Sequence, residues 1–87
     1  MKRWNTIFRA LANVNRLKII ALLSEGKLLH VTHIAEELGI SLKATSKHLI
    51  MLQNLDVLES TGKQGHVFYG IHQKVPLDIQ KAIKLFL

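Results

Sequence analysis

The sequence predicts a mainly α-helical domain with one small β-hairpin, and three observations predict it. Two short amphipathic segments between Val31 and Gln53 meet at Gly39; the apolar period changes from 3.6 to 2 after Asn54; and a glycine-bounded loop, Gly62-Lys63-Gln64-Gly65, separates two alternating runs. Two short helices joined by a tight glycine-containing turn form a helix-turn-helix, whose second helix suits the DNA major groove. A hairpin directly after it gives the order of a winged helix-turn-helix.

Each element has its own signal. Trp4, Ile7, Phe8 and Leu11 fall at i, i+3, i+4 and i+7, which predicts an amphipathic helix over residues 3–12. Asn13 can cap the next helix, where Leu17, Ile20 and Ala21 share a face that Ile19, Leu22 and Leu23 widen. Being apolar over most of its circumference, that helix belongs at the centre. Ser24-Glu25-Gly26 ends it, and Lys27–His30 is a short connection able to pair as a single strand. Val31, Ile34, Ala35 and Leu38 line one face of the third helix, and Gly39 stands where a helix end favours positive φ. Ser41 offers a capping hydroxyl to the fourth helix, whose inward set is Leu42, Thr45, Leu49 and Leu52. Val57, Glu59 and Thr61 alternate with Leu58 and Ser60 in one strand, and His66–Ile71 returns as the other. Pro76 suits the first turn of a last helix, 76–86, striped by Ile79, Ala82, Ile83 and Phe86. Residues 1–87 therefore read as one small domain, without repeats or linkers.

Composition narrows the function. Twelve Lys+Arg against six Asp+Glu give a net charge of +6, and the sequence pI is about 10.0. Such a balance is the electrostatic signature of nucleic-acid binding, once a DNA-reading motif accompanies it. There are no cysteines, so disulfides and thiolate metal sites are excluded, the usual pattern of a cytosolic chain. Asn5, Thr6 and Arg9 interrupt any signal-peptide core, and no uncharged run approaches a bilayer span, so a cytoplasmic protein is expected. No glycine-rich phosphate loop, cysteine nucleophile or paired-carboxylate spacing is present; neither an enzyme nor a cofactor is expected.

The expected DNA-reading residues lie on the fourth helix and at the hairpin tip. Lys43, Ala44, Ser46 and Lys47 fall opposite the inward set, with His48 at the edge. A lysine can donate to guanine or to phosphate, Ser46 can bond either, and the Ala44 methyl can meet a thymine methyl. Ser41, with backbone N–H groups at the helix start, can hold a phosphate. The bland alternative is that both lysines only solvate an exposed helix; the winged-helix order favours DNA. Lys63, Gln64 and His66 sit at or beside the tip, where a wing touches the minor groove or backbone. The hairpin's other use is to complete the core through Val67 and Tyr69.

The chain resembles the ArsR/SmtB-type winged-helix repressors in three blocks. ALANVNRLKIIALL (10–23) is similar to the family's opening pattern, HIAEELGISLKATSKHLIMLQNLDVLE (33–59) to its helix-turn-helix, and STGKQGHVFYGI (60–71) to its wing. Ser41, Thr45, Ser46, Lys47, His48, Leu49 and Leu52 all fall in register. The resemblance implies a homodimeric transcriptional repressor on double-stranded DNA, with the first and last helices as dimerisation helices. The family's cysteine metal motif is replaced here by Lys27–His33, with His30 and Thr32 at the cysteine positions. Its last-helix site is also missing, since Asp78-Ile79-Gln80 lacks the histidine. No metal site of a familiar kind is expected. His30 and His33 form an H-x-x-H pair beside Glu36 and Glu37, too few ligands for zinc by themselves.

Trp4, Ile7, Phe8, Leu11, Ile79, Ile83 and Phe86 exceed what a chain of this size comfortably hides. Either they close a small core or they meet a second subunit; small size and the resemblance favour the second. Arg3, Arg9 and Arg16 are open between surface ion pairs and phosphate contacts. The expectation is a sequence-specific DNA-binding regulator, a homodimeric repressor that inserts residues 41–53 in the major groove. A winged-helix protein-interaction module and a non-specific architectural DNA binder are the alternatives.

Overall fold

A computed structural model of the chain describes residues 2–87. Its elements are α1 (Lys2–Leu11), α2 (Val14–Leu23), β1 (Leu29–His30), α3 (Val31–Leu38), α4 (Leu42–Asn54), β2 (Leu58–Lys63), β3 (His66–Ile71) and α5 (Leu77–Phe86). Five helices and a three-stranded antiparallel sheet in the order β1-β3-β2 make the winged helix-turn-helix that the sequence predicts.

Local chemistry sets the boundaries. Asn13 caps α2, its Oδ1 accepting from the Arg16 N–H at 3.1 Å. The core of α2 is Ile19, Ile20 and Leu23, with Leu17 and Leu22 partly buried. Ala21, placed by period on the same face, is exposed. Around α2 gather Ile7 and Leu11 from α1, Ile34 from α3, and Leu49 and Leu52 from α4; Ile79 and Ala82 of α5, which packs on α1, complete the same core. Leu29 and His30 pair with Tyr69 and Phe68, so the short connection is a third strand.

Gly39 ends α3 in the left-handed region (φ 69°, ψ 32°), its N–H donating to the Ala35 and Glu36 carbonyls. A Cβ there would meet nothing within 4 Å, so the cost of a side chain is backbone strain alone. Gly39→Ala is expected to cost about 1 kcal/mol. A thermal melt should then fall by roughly 4–8 °C for a domain this size.

The hairpin is tighter than the sequence suggests. Gly62 and Lys63 belong to β2, paired with Val67 and His66, and the loop shrinks to Gln64-Gly65. Both take positive φ, 51° and 80°, the mirror-image turn whose twist matches paired strands. Of the two residues through which the hairpin's other use would complete the core, Tyr69 packs on it and Val67 is exposed.

Between α4 and β2 the chain turns through Asp56, a non-glycine residue at φ 58°. The Val57 N–H donates to the Leu52 carbonyl and the Asp56 N–H to the Gln53 carbonyl, each at 3.0 Å. This is the two-bond closure that stops a helix and satisfies its last carbonyls, with Leu52 and Val57 buried against the same core. Pro76 stands at the N-cap of α5 (φ −53°, ψ 141°) rather than within its first turn.

Candidate nucleic-acid interface

Helix α4 is fixed at its start and along its inner side. The Ser41 hydroxyl accepts from the Ala44 N–H at 3.0 Å, and the Thr45 hydroxyl donates to the Ser41 carbonyl at 2.8 Å. Thr45, Leu49 and Leu52 are fully buried. Leu42, expected among them, is 51% exposed: the first turn of α4 stands clear of the core, and the inward stripe begins only at Thr45.

The opposite side carries Lys43, Lys47, Ile50 and Asn54, all exposed and spaced by helical steps of four, three and four. Ala44 and Ser46 are half-buried on its flanks. Helix α4 carries no acidic residue, so no internal counter-ion cancels the two lysines. An exposed row of two cations on a helix whose far side is locked into the core is suited to lie against phosphates and base edges. Ile50 and Asn54 were legible as members of this row, because they continue the spacing from Lys43; the charge pattern alone had not singled them out. Lys63, Gln64 and His66 are exposed together at the hairpin tip. Lys63 faces His66 in the last pair of the ladder.

His48 behaves differently. It is half-buried, and its Nδ1 accepts from Arg16 Nη1 at 3.1 Å. A guanidinium has no acceptor, so His48 carries its proton on Nε2, the one ring atom left for another partner. Arg16 also donates through Nε to the Ala10 carbonyl and through Nη2 to the Arg9 carbonyl at 3.2 Å. It thus closes the carboxyl end of α1 and joins it to α4. Arg3 pairs with Asp78 through two bonds, at 2.6 and 3.0 Å, which ties α1 to α5. Two of the three arginines are therefore joined to the chain itself. The Arg16 link spans 32 residues, and no local spacing announces it.

Burial first, and then the Arg16 charge, lower the His48 pKa below the ordinary imidazole value, so His48 is neutral in the fold at pH 7. In the unfolded chain it takes a proton near pH 6.5. Below that pH the unfolded state binds more protons, and the stability contributed by neutral His48 is lost as pH falls toward its folded pKa. Urea midpoints should drop between pH 7 and 5.5, and in His48→Gln, whose amide oxygen can accept from Arg16, that part of the drop should disappear.

The remaining histidines are spread among local partners. His30 caps α3, its Nδ1 accepting from the Thr32 N–H at 3.2 Å, and packs edge-on against His66 and Phe68. His33 instead faces Glu37 at 3.5 Å, so the H-x-x-H pair serves two different contacts. Among the described residues no three His, Asp or Glu side chains converge as metal ligands, and no helix is long and apolar enough to cross a membrane.

The apolar residues of the outer helices divide in two. Ile7, Leu11 and Ile79, expected at a subunit contact, are fully buried inside the single chain and have no surface left to offer. Ile83 is half-buried. Trp4, Phe8 and Phe86 remain 41%, 44% and 45% exposed, with the Trp4 and Phe8 rings stacked at 5.4 Å.

No curated protein sequence matches the chain, but solved structures do. It is similar to the homodimeric winged helix-turn-helix DNA-binding domain Mb0332 from Mycobacterium bovis, described as a possible ArsR-family transcriptional regulator. That match has 26% identity and a TM-score of 0.77, over 98% of this chain and 75% of that one. HlyU from Vibrio cholerae N16961 is 25% identical at a TM-score of 0.77, over 98% and 88% of the two chains. The antimony-specific transcriptional repressor AntR is 25% identical at 0.74, over 98% and 74%. The family model described as "Bacterial regulatory protein, arsR family" matches residues 13–60, more than half of the sequence and the whole of the helix-turn-helix. With the fold and the family model in agreement, this chain belongs to the ArsR family of bacterial regulatory proteins.

Proposed function

We propose that the protein is a homodimeric, sequence-reading transcriptional repressor of the cytoplasm without the family's cysteine metal site. The observation that carries the reading is the outward row of α4, with Lys43 and Lys47 exposed on a helix whose inner side is locked in the core. Ser41, Lys43, Ala44, Ser46 and Lys47 face base edges and phosphates of the major groove, with His48 at the margin through Nε2. Lys63, Gln64 and His66 reach the flanking backbone. The apolar surface of Trp4, Phe8, Ile83 and Phe86 supports pairing with a second copy, as does the homodimeric Mycobacterium bovis relative. Two such helices enter successive major grooves about 34 Å apart and select a near-palindromic site. Repression is supported by the likeness to AntR, a repressor.

Selection of bound sites from a random duplex pool at about 0.15 M salt, where loose phosphate contacts are partly screened, tests this. A dyad-symmetric consensus is the expected result. Retained DNA without any consensus would mean architectural binding, and no retained DNA would move the function to a protein partner.

A further inference from the structure

Beside the outward row of α4 lies an open cleft of about 440 Å³ between α1 and α4, within the range of small-molecule sites. Its apolar lining comes from Ala10 of α1, Ile50 and Met51 of α4, and Leu55. Two of its residues are charged, Arg9 and Lys47, and both are cations; its other lining side chains are uncharged and polar. The cleft therefore offers apolar walls and two positive groups with no carboxylate beside them to neutralise either. Its complement is a small molecule with an apolar body and a single carboxylate.

We propose that this cleft binds an amphipathic monocarboxylate, with the aliphatic body against Ile50, Met51 and Leu55 and the carboxylate between Arg9 and Lys47. The rest of the inference builds on the DNA reading above. Lys47 belongs both to this cleft and to the row that faces DNA. A lysine ammonium paired with a carboxylate is withdrawn from a phosphate, and the bound anion adds a negative charge beside the duplex. Ligand and DNA thus oppose each other, and by linkage each weakens the other by the same factor. Such a site would place an inducer response on the reading helix itself.

Octanoate is the probe, with 1-octanol as its uncharged counterpart, each titrated to about 1 mM, a concentration that detects even weak binding, into the ¹⁵N-labelled full chain without DNA. Octanoate should shift the amide signals of Ala10, Ile50, Met51 and Leu55 in a saturable manner, and 1-octanol should bind more weakly, by up to about fivefold for the one half-exposed ion pair it cannot form. Arg9→Gln should weaken octanoate about fivefold by the same reasoning. Met51→Trp, which fills the cleft from an exposed position, should abolish the shifts. In a second arm, octanoate should weaken duplex DNA binding by the unaltered protein and leave Met51→Trp unaffected.

No shifts at about 1 mM, equal binding of 1-octanol, or shifts confined to Trp4 and Phe8 would overturn the site. Cleft signals that move on dilution without any ligand would also overturn it, by showing that a second copy fills the cleft. The first arm needs no DNA, so a protein that binds octanoate but no duplex would refute the DNA reading and leave the cleft standing. Octanoate binding that leaves DNA affinity unchanged would refute the opposition alone.

Discussion

The double variant Lys43→Ala/Lys47→Ala is expected to bind duplex DNA about 30-fold more weakly at 0.15 M salt. Each neutralised phosphate contributes about 0.9 to the exponent of the salt dependence, which is about fivefold per contact at that concentration relative to 1 M. The slope of log affinity against log salt should therefore flatten by about 2. Both side chains are exposed and unpaired with any acid on α4, so far-ultraviolet circular dichroism and the melting temperature should be unchanged. Fluorescence anisotropy over a salt series is the measurement. Unchanged affinity and slope would remove α4 from the interface and leave the wing as the only basic contact of the reading head.

Leu49→Ala should produce one of the largest losses of stability among alanine substitutions on α4. Leu49 is fully buried with Leu52, Ile34 and the α2 core. Its truncation removes apolar contact and leaves a cavity, together costing about 3–5 kcal/mol. For 87 residues the whole stability is about 4–13 kcal/mol, so the variant should lose at least about a quarter of it and unfold at a clearly lower urea concentration. Leu49→Met conserves volume and should cost less than about 1.5 kcal/mol. Equilibrium urea unfolding of the two side by side is the check: equal midpoints would mean that the inner side of α4 is not sealed. DNA binding should fail in the alanine variant because the helix is no longer held, with both lysines still present.

Periodicity and punctuation made the order of elements readable. Asn13, Gly39 and Ser41 perform the capping roles their residue types suggest, because those roles depend on a few neighbouring backbone groups. The outer helices were harder. Trp4 and Ile7 share an apolar stripe in sequence, yet Ile7 is buried and Trp4 is not, because only packing decides which part of a wide stripe meets the core. Leu42 shows the same ambiguity at the start of α4. The Arg16–His48 contact and the Arg3–Asp78 pair join residues far apart in the chain, and their partners are selected by the fold. His48, placed by spacing at the edge of the DNA-reading face, is half-buried and bonded to Arg16 in the structure. At the hairpin, two glycines suggested a wider loop than forms, since Gly62 lies within the ladder and Gln64 itself takes positive φ.

The left-handed residue Asp56 has a mechanical consequence. The helix stops, reverses and enters the wing with no slack: Val57 is bonded back to Leu52, and Leu58 already pairs with Ile71. Gln53 adds a further tie, its amide donating to the Ser60 hydroxyl at 3.2 Å. Helix α4 and the wing are therefore coupled mainly through the backbone, with the Gln53–Ser60 side-chain bond as a further brace. If both elements meet DNA as proposed, this coupling sets the spacing between their two contacts along the duplex. On that reading, exchanges along the outward row would alter base preference without altering this spacing.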